Sequence, residues 1–128
     1  MASSREFPEL AVVLEEGGLA WAPAQMWALD DMWPILSMEN PRLSRAPSEY
    51  FREHFYLTTQ PIEEPPKRGQ LAQTLQHLDM DSHVLFATDY PHWDFDVPAR
   101  ALPREISPEL RQRIHADNAC KLYRLAQS

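Results

Sequence analysis

The sequence predicts an α/β fold in which the strands of a parallel sheet alternate with helices. Three short apolar runs, at residues 10–14, 55–59 and 83–88, have the composition of buried strands, and segments of helical periodicity follow each of them. Apolar strands that alternate with helices require crossover connections, and these make the sheet parallel. Twelve prolines against three glycines indicate long, stiffened connections rather than tight hairpins. We expect a single domain over residues 1–128.

The first predicted strand ends at a pair of acidic residues and a pair of glycines, residues 15–18. A β-branched apolar run that stops at two glycines is typical of a buried parallel strand. Between residues 21 and 38 large apolar side chains recur every three or four positions, which predicts an amphipathic helix. Pro34 lies within this segment, so we expect the helix to kink or to end early there.

The remaining elements follow the same alternation. Pro47 begins a short helix, with Glu49 near its positive end, and that helix leads directly into the second strand. A further helix is predicted over residues 69–78. The third run is uniformly apolar, which predicts a strand covered on both faces. Ser107 and Pro108 have the pattern of an N-cap followed by an N1 proline. The last helix is predicted to bury Leu110, Ile114, Ala119, Leu122 and Tyr123.

Composition excludes several functional classes. A formal net charge of −7, with scattered basic residues, argues against a nucleic-acid-binding surface. No apolar run approaches the length of a membrane span, and the first residues lack the pattern of a signal peptide. Cys120 is the only cysteine, so an intramolecular disulfide is impossible. We therefore expect a cytoplasmic protein whose partners are neither nucleic acid nor membrane.

In parallel α/β folds the chemistry lies at the carboxyl ends of the strands, and Asp89 stands where the third apolar run stops. A carboxylate there can ligate a divalent metal or accept a proton from metal-bound water. His92 and Trp93 follow within reach of the same region. The alternative is that Asp89 only caps the turn before Tyr90 and Pro91.

The other strand ends are more ambiguous. Strand alternation directs either Glu15 or Glu16 toward the mouth of the sheet, and Glu16 is our choice. A solvated acidic turn is the alternative. Thr58 and Gln60 follow the second strand, where they would line a pocket or make ordinary strand-end hydrogen bonds. The remaining histidines have no metal-site spacing, and no HxH, HExxH or CxxC pattern occurs. Cys120 is predicted to be a small core residue.

Five segments, in this order, resemble the C-terminal part of the amidohydrolase-2 group of the amidohydrolase superfamily. The group includes aminocarboxymuconate semialdehyde decarboxylase and related decarboxylases and hydratases. The segments are residues 7–18, 47–50, 55–61, 85–94 and 117–123. The two that are specific as a pair are Asp-Tyr-Pro-His-Trp-Asp, at residues 89–94, and Asp-Asn-Ala, which leads to Leu-Tyr at the end of the last segment.

This resemblance implies the last three strand–helix units of a TIM-type (β/α)8 barrel that binds a divalent metal, most often zinc. Asp89 matches the family's last metal ligand and would also act as the catalytic base, while Glu16, His92 and Trp93 would contact the substrate. Many members have a catalytic histidine where this chain has Glu16. The HxH motif and the mid-chain histidine of the family are missing, and one carboxylate cannot supply the three protein ligands usual for catalytic zinc. We therefore expect the divalent metal in a complete enzyme, and whether this chain alone binds one stays open.

Two functional hypotheses remain open. In the first, the chain is part of a metal-dependent hydrolase that acts on an unknown small organic substrate once an N-terminal half completes it. A decarboxylase, a carbon–carbon lyase, is the runner-up chemistry. In the second, the chain is a non-enzymatic remnant or an oligomeric module. Three strands leave exposed sheet edges, which would favour pairing with a second copy.

Overall fold

A three-stranded parallel sheet organises residues 7–125, the part of the chain that the computed structural model describes. The strands are β1 (Val12–Leu14), β2 (Phe55–Thr58) and β3 (Val84–Leu85), in the order β1-β2-β3. Leu57 of the central strand pairs with Leu14 on one side and with Val84 on the other. The predicted α/β fold with a parallel sheet is therefore confirmed.

Helices connect and follow the strands. They are α1 (Trp21–Asp31), α2 (Trp33–Glu39), α3 (Pro47–His54), α4 (Gln70–Leu78), α5 (Pro108–Gln112) and α6 (Asn118–Tyr123), with a π-helical turn, Arg113–Asp117, between α5 and α6. The Ser107 hydroxyl accepts a hydrogen bond from the Leu110 N–H, so the predicted N-cap is present. Within residues 7–125, no helix has both the length and the apolar composition that are needed to cross a membrane.

The segment predicted as one helix over residues 21–38 forms two. Pro34 occupies the first turn of α2, where its missing N–H costs nothing, but its ring would clash with a preceding helical turn. The helix therefore ends at Asp31 and a new one begins at Trp33. The expected early end near Pro34 is confirmed.

The third strand is shorter than the predicted run 83–88, because hydrogen bonds to other groups replace the ladder. The Phe86 N–H donates to the Ile114 carbonyl, and the Ala87 N–H donates to the Thr59 hydroxyl oxygen. The buried Asn118 donates from its side-chain amide to the Val84 carbonyl at 2.8 Å, which ties β3 to α6. Residues 86–88 thus leave the sheet and turn toward its carboxyl edge.

The core lies between the sheet and the helices. Its fully buried side chains include Leu19, Met26, Leu57, Leu78 and Ile114. Both residues of β3 are buried, as predicted. β1, predicted to be buried, is only half-buried, because it is an edge strand of the described sheet. The prediction for Tyr123 was wrong: it is 55% exposed.

The loop after β1 is fixed by one carboxylate. Glu63 accepts hydrogen bonds from the Leu19 N–H at 2.9 Å and from the Ala20 N–H at 2.9 Å, just before α1. Gly18 has φ +69°, and a Cβ added there would overlap the Glu63 carboxylate. A glycine is needed at this position both for its backbone conformation and for space. The segment after β2 thereby positions the segment after β1.

Candidate active site

The segments that follow the three strands converge at the carboxyl edge of the sheet, where they line a cleft of about 200 Å³. Its lining residues are Glu15, Glu16, Thr58, Gln60, Ala87 and Asp89. The structure therefore brings Asp89 and Glu16, predicted from separate strand ends, into one cleft with Thr58 and Gln60. Glu15 lines the cleft too, so the choice between the two glutamates stays a prediction.

Asp89 and Glu16 share an unusual backbone conformation. Both are left-handed, with φ +58° for Asp89 and φ +55° for Glu16. A residue with a side chain pays roughly 1 kcal/mol or more for this region, and such residues often occur at functional sites. Glu16 lies just after β1, and Asp89 lies after β3. In each case the left-handed conformation changes the direction of the chain at the edge of the cleft.

Asp89, His92 and Asp94 form a compact group beside the cleft. The His92 Nδ1 lies 3.4 Å from the Asp89 Oδ2, and it is hydrogen-bonded to the Asp94 carboxylate. The backbone N–H of His92 also donates to the backbone carbonyl of Asp89 at 2.7 Å. The hydrogen bond to Asp94 raises the pKa of His92, and the negative charges of Asp94, Asp89 and Glu16 add to this effect.

The turn-cap alternative for Asp89 receives little support from the geometry. At the turn before Pro91 the Tyr90 N–H donates to the Thr88 hydroxyl at 3.3 Å, so Thr88 supplies the short side-chain bond of that turn. The Asp89 carboxylate faces His92 instead. Its side chain is 32% exposed, which leaves it accessible to a ligand in the cleft.

Gln60 connects the cleft to the loop that carries Asp94. It is 4% exposed, and its Nε2 donates to the Asp94 carbonyl at 2.9 Å. Its Oε1 is buried and has no hydrogen-bond partner among residues 7–125. A buried polar atom without a partner costs about 1–3 kcal/mol, so this oxygen lowers the stability of the fold unless a group outside the described residues bonds to it.

The two aromatic residues around the turn are open to solvent. Trp93 is 85% exposed and Tyr90 is 73% exposed. The predicted substrate contact of Trp93 is not brought into the cleft by the described residues and stays a prediction. Trp21, by contrast, donates its indole N–H to the Gly17 carbonyl at 2.9 Å.

Sequence reasoning did not single out Asp94. The available signal was its spacing, since a carboxylate two residues after a histidine in one turn can reach the imidazole. Ligand atoms of Asp89, His92 and Asp94 all lie within 4.8 Å of one another. Two carboxylate oxygens and an imidazole nitrogen are ligands that divalent transition metals accept. Of these three residues Asp89 also lines the cleft, beside Gln60. These residues therefore fit a divalent cation.

Comparisons with known proteins assign the chain to a family. The model of the amidohydrolase family matches residues 3–125. No curated protein sequence gives a significant match. Among solved structures, 5-carboxyvanillate decarboxylase LigW from Sphingomonas paucimobilis is 25% identical, with a TM-score of 0.69. The similarity covers 97% of this chain and 36% of LigW.

Two further solved structures show the same fold. A dihydroxybenzoic acid decarboxylase from Polaromonas sp. JS666, with bound manganese and the inhibitor 2-nitroresorcinol, is 24% identical with a TM-score of 0.67, over 98% of this chain and 37% of that one. 2,6-Dihydroxybenzoate decarboxylase from Rhizobium is 23% identical with a TM-score of 0.61, over 95% and 37%. The chain thus spans little more than a third of the length of the solved structures that it resembles.

Proposed function

We propose that this chain, which belongs to the amidohydrolase family, supplies one side of the active site of a metal-dependent enzyme that acts on a small organic substrate. The observation that carries the proposal is the position of Asp89. It follows the last strand and shares a cleft with Glu16 and Gln60 at the carboxyl edge of a parallel sheet. This edge is where parallel α/β folds bind substrates.

The three strand–helix units are proposed to be part of a (β/α)8 barrel, a fold of about 250 residues. Within the described residues β1 and β3 each have only one neighbouring strand, so each has an edge to which a further strand could add. The coverage of 36% of LigW supports the same view. The remaining strands would come from a longer parent or from a separate chain, with a second copy of this chain as the alternative partner.

Decarboxylation of a carboxylated phenol is the chemistry that the comparisons favour. In such a reaction the bond between the ring carbon and the carboxyl carbon breaks, its electron pair takes a proton, and CO₂ leaves. Asp89 would ligate the metal and exchange the proton, while Glu16 and His92 would contact the substrate. Support comes from the 25% identity to a 5-carboxyvanillate decarboxylase.

Hydrolysis is the second candidate, and Glu16 is the observation that favours it. Glu16 and Asp89 line one cleft, and a carboxylate can accept a proton from an attacking water as readily as from a substrate. A bound divalent cation would supply a Lewis acid that polarises a substrate oxygen. Asp89 would hold the ion, for which zinc is our expectation. Manganese is the ion present in the Polaromonas structure.

A chimera tests the proposal. This chain would replace the matching C-terminal third of LigW, and CO₂ release from 5-carboxyvanillate would be measured with zinc or manganese. An ester or amide panel would be assayed alongside. We expect turnover that falls more than about 100-fold with Asp89→Asn and is unchanged with Asp31→Asn, an exposed aspartate at the end of α1. A folded chimera in which Asp89→Asn retains full turnover would contradict the proposal.

The non-enzymatic alternative makes a different prediction. If the chain is an oligomeric module, its sheet edges should pair with those of a second copy, and light scattering should give twice the mass of 14.9 kDa. A monomer with a cooperative thermal transition would count against that alternative.

A further inference from the structure

The two outer strands each have one neighbouring strand, but their free edges are not equivalent. This chain's own C-terminal helices are bonded to the free edge of β3, whereas the free edge of β1 has no partner among residues 7–125. We propose that a further strand joins this sheet at β1 only, and that it is a parallel strand from a strand–helix unit of the polypeptide that completes the fold. The inference rests on the proposed function, to which it adds the surface where that polypeptide attaches.

The hydrogen bonds between β2 and β3 show which backbone groups of β3 face outward. The Leu57 N–H donates to the His83 carbonyl at 3.0 Å, and the Thr59 N–H donates to the Leu85 carbonyl at 2.9 Å. Backbone groups of successive residues point to opposite edges of a strand, so those of residues 83 and 85 face β2. The backbone groups of residues 84, 86 and 88 therefore point to the side on which a further strand would have to bind.

On that side the chain supplies its own hydrogen-bond partners. The Val84 carbonyl accepts a hydrogen bond from the side-chain amide of Asn118 at 2.8 Å. The Phe86 N–H donates to the Ile114 carbonyl at 3.0 Å, and the Thr88 carbonyl accepts a backbone N–H of the loop that follows at 2.9 Å. A strand that added to β3 would find these three groups already bonded.

The residues that close the β3 edge are buried and belong to the C-terminal helices. Ile114 is fully buried and Asn118 is 5% exposed. Both lie at the π-helical turn, where the Asn118 N–H donates to the Arg113 carbonyl five residues earlier. The Asn118 amide also donates to the Asp81 carbonyl at 2.8 Å, so it holds the residues before β3 as well. Displacing this turn would leave buried polar groups without partners, which disfavours strand addition at β3.

The β1 edge has the opposite character. β1 is half-buried, and among the described residues its backbone is bonded to β2 and, through the Leu14 carbonyl at 3.4 Å, to the Thr58 hydroxyl. An unpaired strand edge offers a row of N–H and C=O groups to another strand. Ile35 and Met38 of α2, in the connection from β1 to β2, are also more than half exposed. A strand–helix unit would pair with the edge and bring a helix whose apolar face needs such a surface.

A second copy of this chain fits the β1 edge less well. Two copies paired through β1 would be related by a two-fold axis, which makes the two strands antiparallel. β1 has only three residues, so this pair would form few hydrogen bonds, and it would turn a parallel sheet into a mixed one. A polypeptide with further strand–helix units would continue the parallel order. The match to LigW covers 36% of that structure, so most of that fold lies outside this chain.

Amide hydrogen exchange, measured by NMR on the full 128-residue chain and on the LigW chimera, tests the proposal. In the chain alone, the Phe86 amide should be protected from exchange at least about 10-fold more than the least protected amide of β1. In the chimera, exchange at β1 should slow by at least about 10-fold, while that of Phe86 changes by less than about twofold. Asn118→Ala should speed the Phe86 exchange by about 10-fold, and Asn40→Ala, at an exposed asparagine, should leave it unchanged. Circular dichroism would verify that each protein is folded.

The contrary outcomes are distinct from one another. Equal protection of Phe86 and β1 in the chain alone would show that the β3 edge is open. Slowing at residues 84–88 of the chimera, no slowing at β1, or an unfolded chimera would contradict strand addition at β1 only. Protection of β1 that rises with the concentration of the chain alone would assign that edge to a second copy. The proposed function survives these results if the chimera is active, whereas the expected protection in a folded but inactive chimera would contradict the proposed function alone.

Discussion

The loop after β1 and the loop after β3 meet at the same edge of the sheet, but they are completed differently. In the first, residues 15–20, the N–H groups of Leu19 and Ala20 are bonded to the Glu63 carboxylate, and Leu19 is fully buried. In the second, which begins at Phe86, the charged side chains of Asp89, His92 and Asp94 are partly exposed. Residues 19 and 20 of the first loop are therefore bonded within this chain, whereas the second loop, like Glu16 at the start of the first, displays groups that can bind a ligand.

Two buried polar atoms reinforce the contrast. The Oε1 of Gln60 and the Oδ2 of Asp96 have no hydrogen-bond partner in the part of the chain that is described, and both residues adjoin the β3 loop. Native proteins leave few such atoms, so each needs an explanation. We infer that residues 17–20 of the β1 loop have a structural role, whereas the β3 loop, together with Glu16 at the start of the β1 loop, has a binding role. Substitutions on the two sides of the edge test that distinction.

The largest expected difference is between Leu57 and Trp93. Leu57 is fully buried in the central strand, whereas Trp93 is 85% exposed in the β3 loop. Leu57→Ala should lower the free energy of unfolding by about 2–5 kcal/mol, through lost burial and the cavity left behind. Trp93→Ala should change it by less than about 0.5 kcal/mol. Urea unfolding measures both, and similar losses would show that the β3 loop contributes to the fold.

Glu63 should have the next largest effect. Glu63→Ala removes the acceptor of two backbone N–H groups before α1, which should cost about 1–3 kcal/mol. The adjacent Glu64 is exposed, and Glu64→Ala should cost less than about 0.5 kcal/mol. Thermal unfolding of the two variants is the measurement. Equal melting temperatures would mean that Glu63 does not anchor the loop.

A double-mutant cycle with Gly18 checks the same contact. Gly18→Ala introduces a Cβ at φ +69° that overlaps the Glu63 carboxylate. Part of its cost is backbone strain, roughly 1 kcal/mol, and the rest is displacement of Glu63. The substitution should therefore cost less in the Glu63→Ala background than in the parent. If Gly18→Ala costs as much in the Glu63→Ala background as in the parent, its whole cost comes from backbone strain.

Asp96→Asn, unlike the substitutions above, should raise the free energy of unfolding. Burial raises the pKa of its carboxyl, and the charges of Glu64 and Asp94 add to this. A carboxyl whose pKa is raised by folding costs stability at neutral pH, and the cost disappears as pH falls toward its ordinary range. Asp96→Asn should therefore stabilise the chain at pH 7 by up to about 1 kcal/mol, and less at pH 4. Asp81→Asn, at an exposed position, is the control for urea unfolding.

The sequence predicted the alternation of strands and helices because apolar periodicity reports burial directly. It also predicted that Glu16 and Asp89 lie at the same edge of the sheet, because the carboxyl ends of parallel strands share an edge. The length of β3 was not predictable from composition. Phe86 and Ala87 are as apolar as the residues of β3 itself. Their backbone N–H groups, however, donate to the Ile114 carbonyl and the Thr59 hydroxyl, and only the tertiary fold creates these contacts.

The sequence predicted that β1 is buried, but the strand is only half-buried, and the reason is related. A β-branched run is compatible with a central strand and with an edge strand alike, and the number of neighbours is a property of the whole sheet. Asp94 was missed because its spacing from His92 brings the two side chains together only if the backbone between them forms a tight turn, which the sequence alone does not determine. The Gln60 amide fixes the backbone there from another strand end. The turn that carries Asp89, His92 and Asp94 is thus local in sequence but held by a long-range contact.

The smallest expected effect concerns His83, at the end of β3 opposite to Asp89. Burial lowers the pKa of His83, with a further contribution from Lys121, and its ring packs on Tyr56 at 4.3 Å. The unfolded chain therefore takes up a proton near the ordinary pKa of about 6.5 while the folded chain does not. The free energy of unfolding should fall as pH drops below that value.

His83→Phe keeps an aromatic ring against Tyr56 and removes the titrating group. Its free energy of unfolding should fall less than that of the parent between pH 7.5 and pH 5.5 in urea titrations. His92 acts in the opposite direction, because the hydrogen bond to Asp94 raises its pKa, so folding gains stability as that imidazole takes its proton. Equal pH dependence of the parent and His83→Phe would show that His83 is hydrated in solution. The amino end of β3 would then be as open as its carboxyl end, and the distinction between the two regions would hold only for the loop after β1.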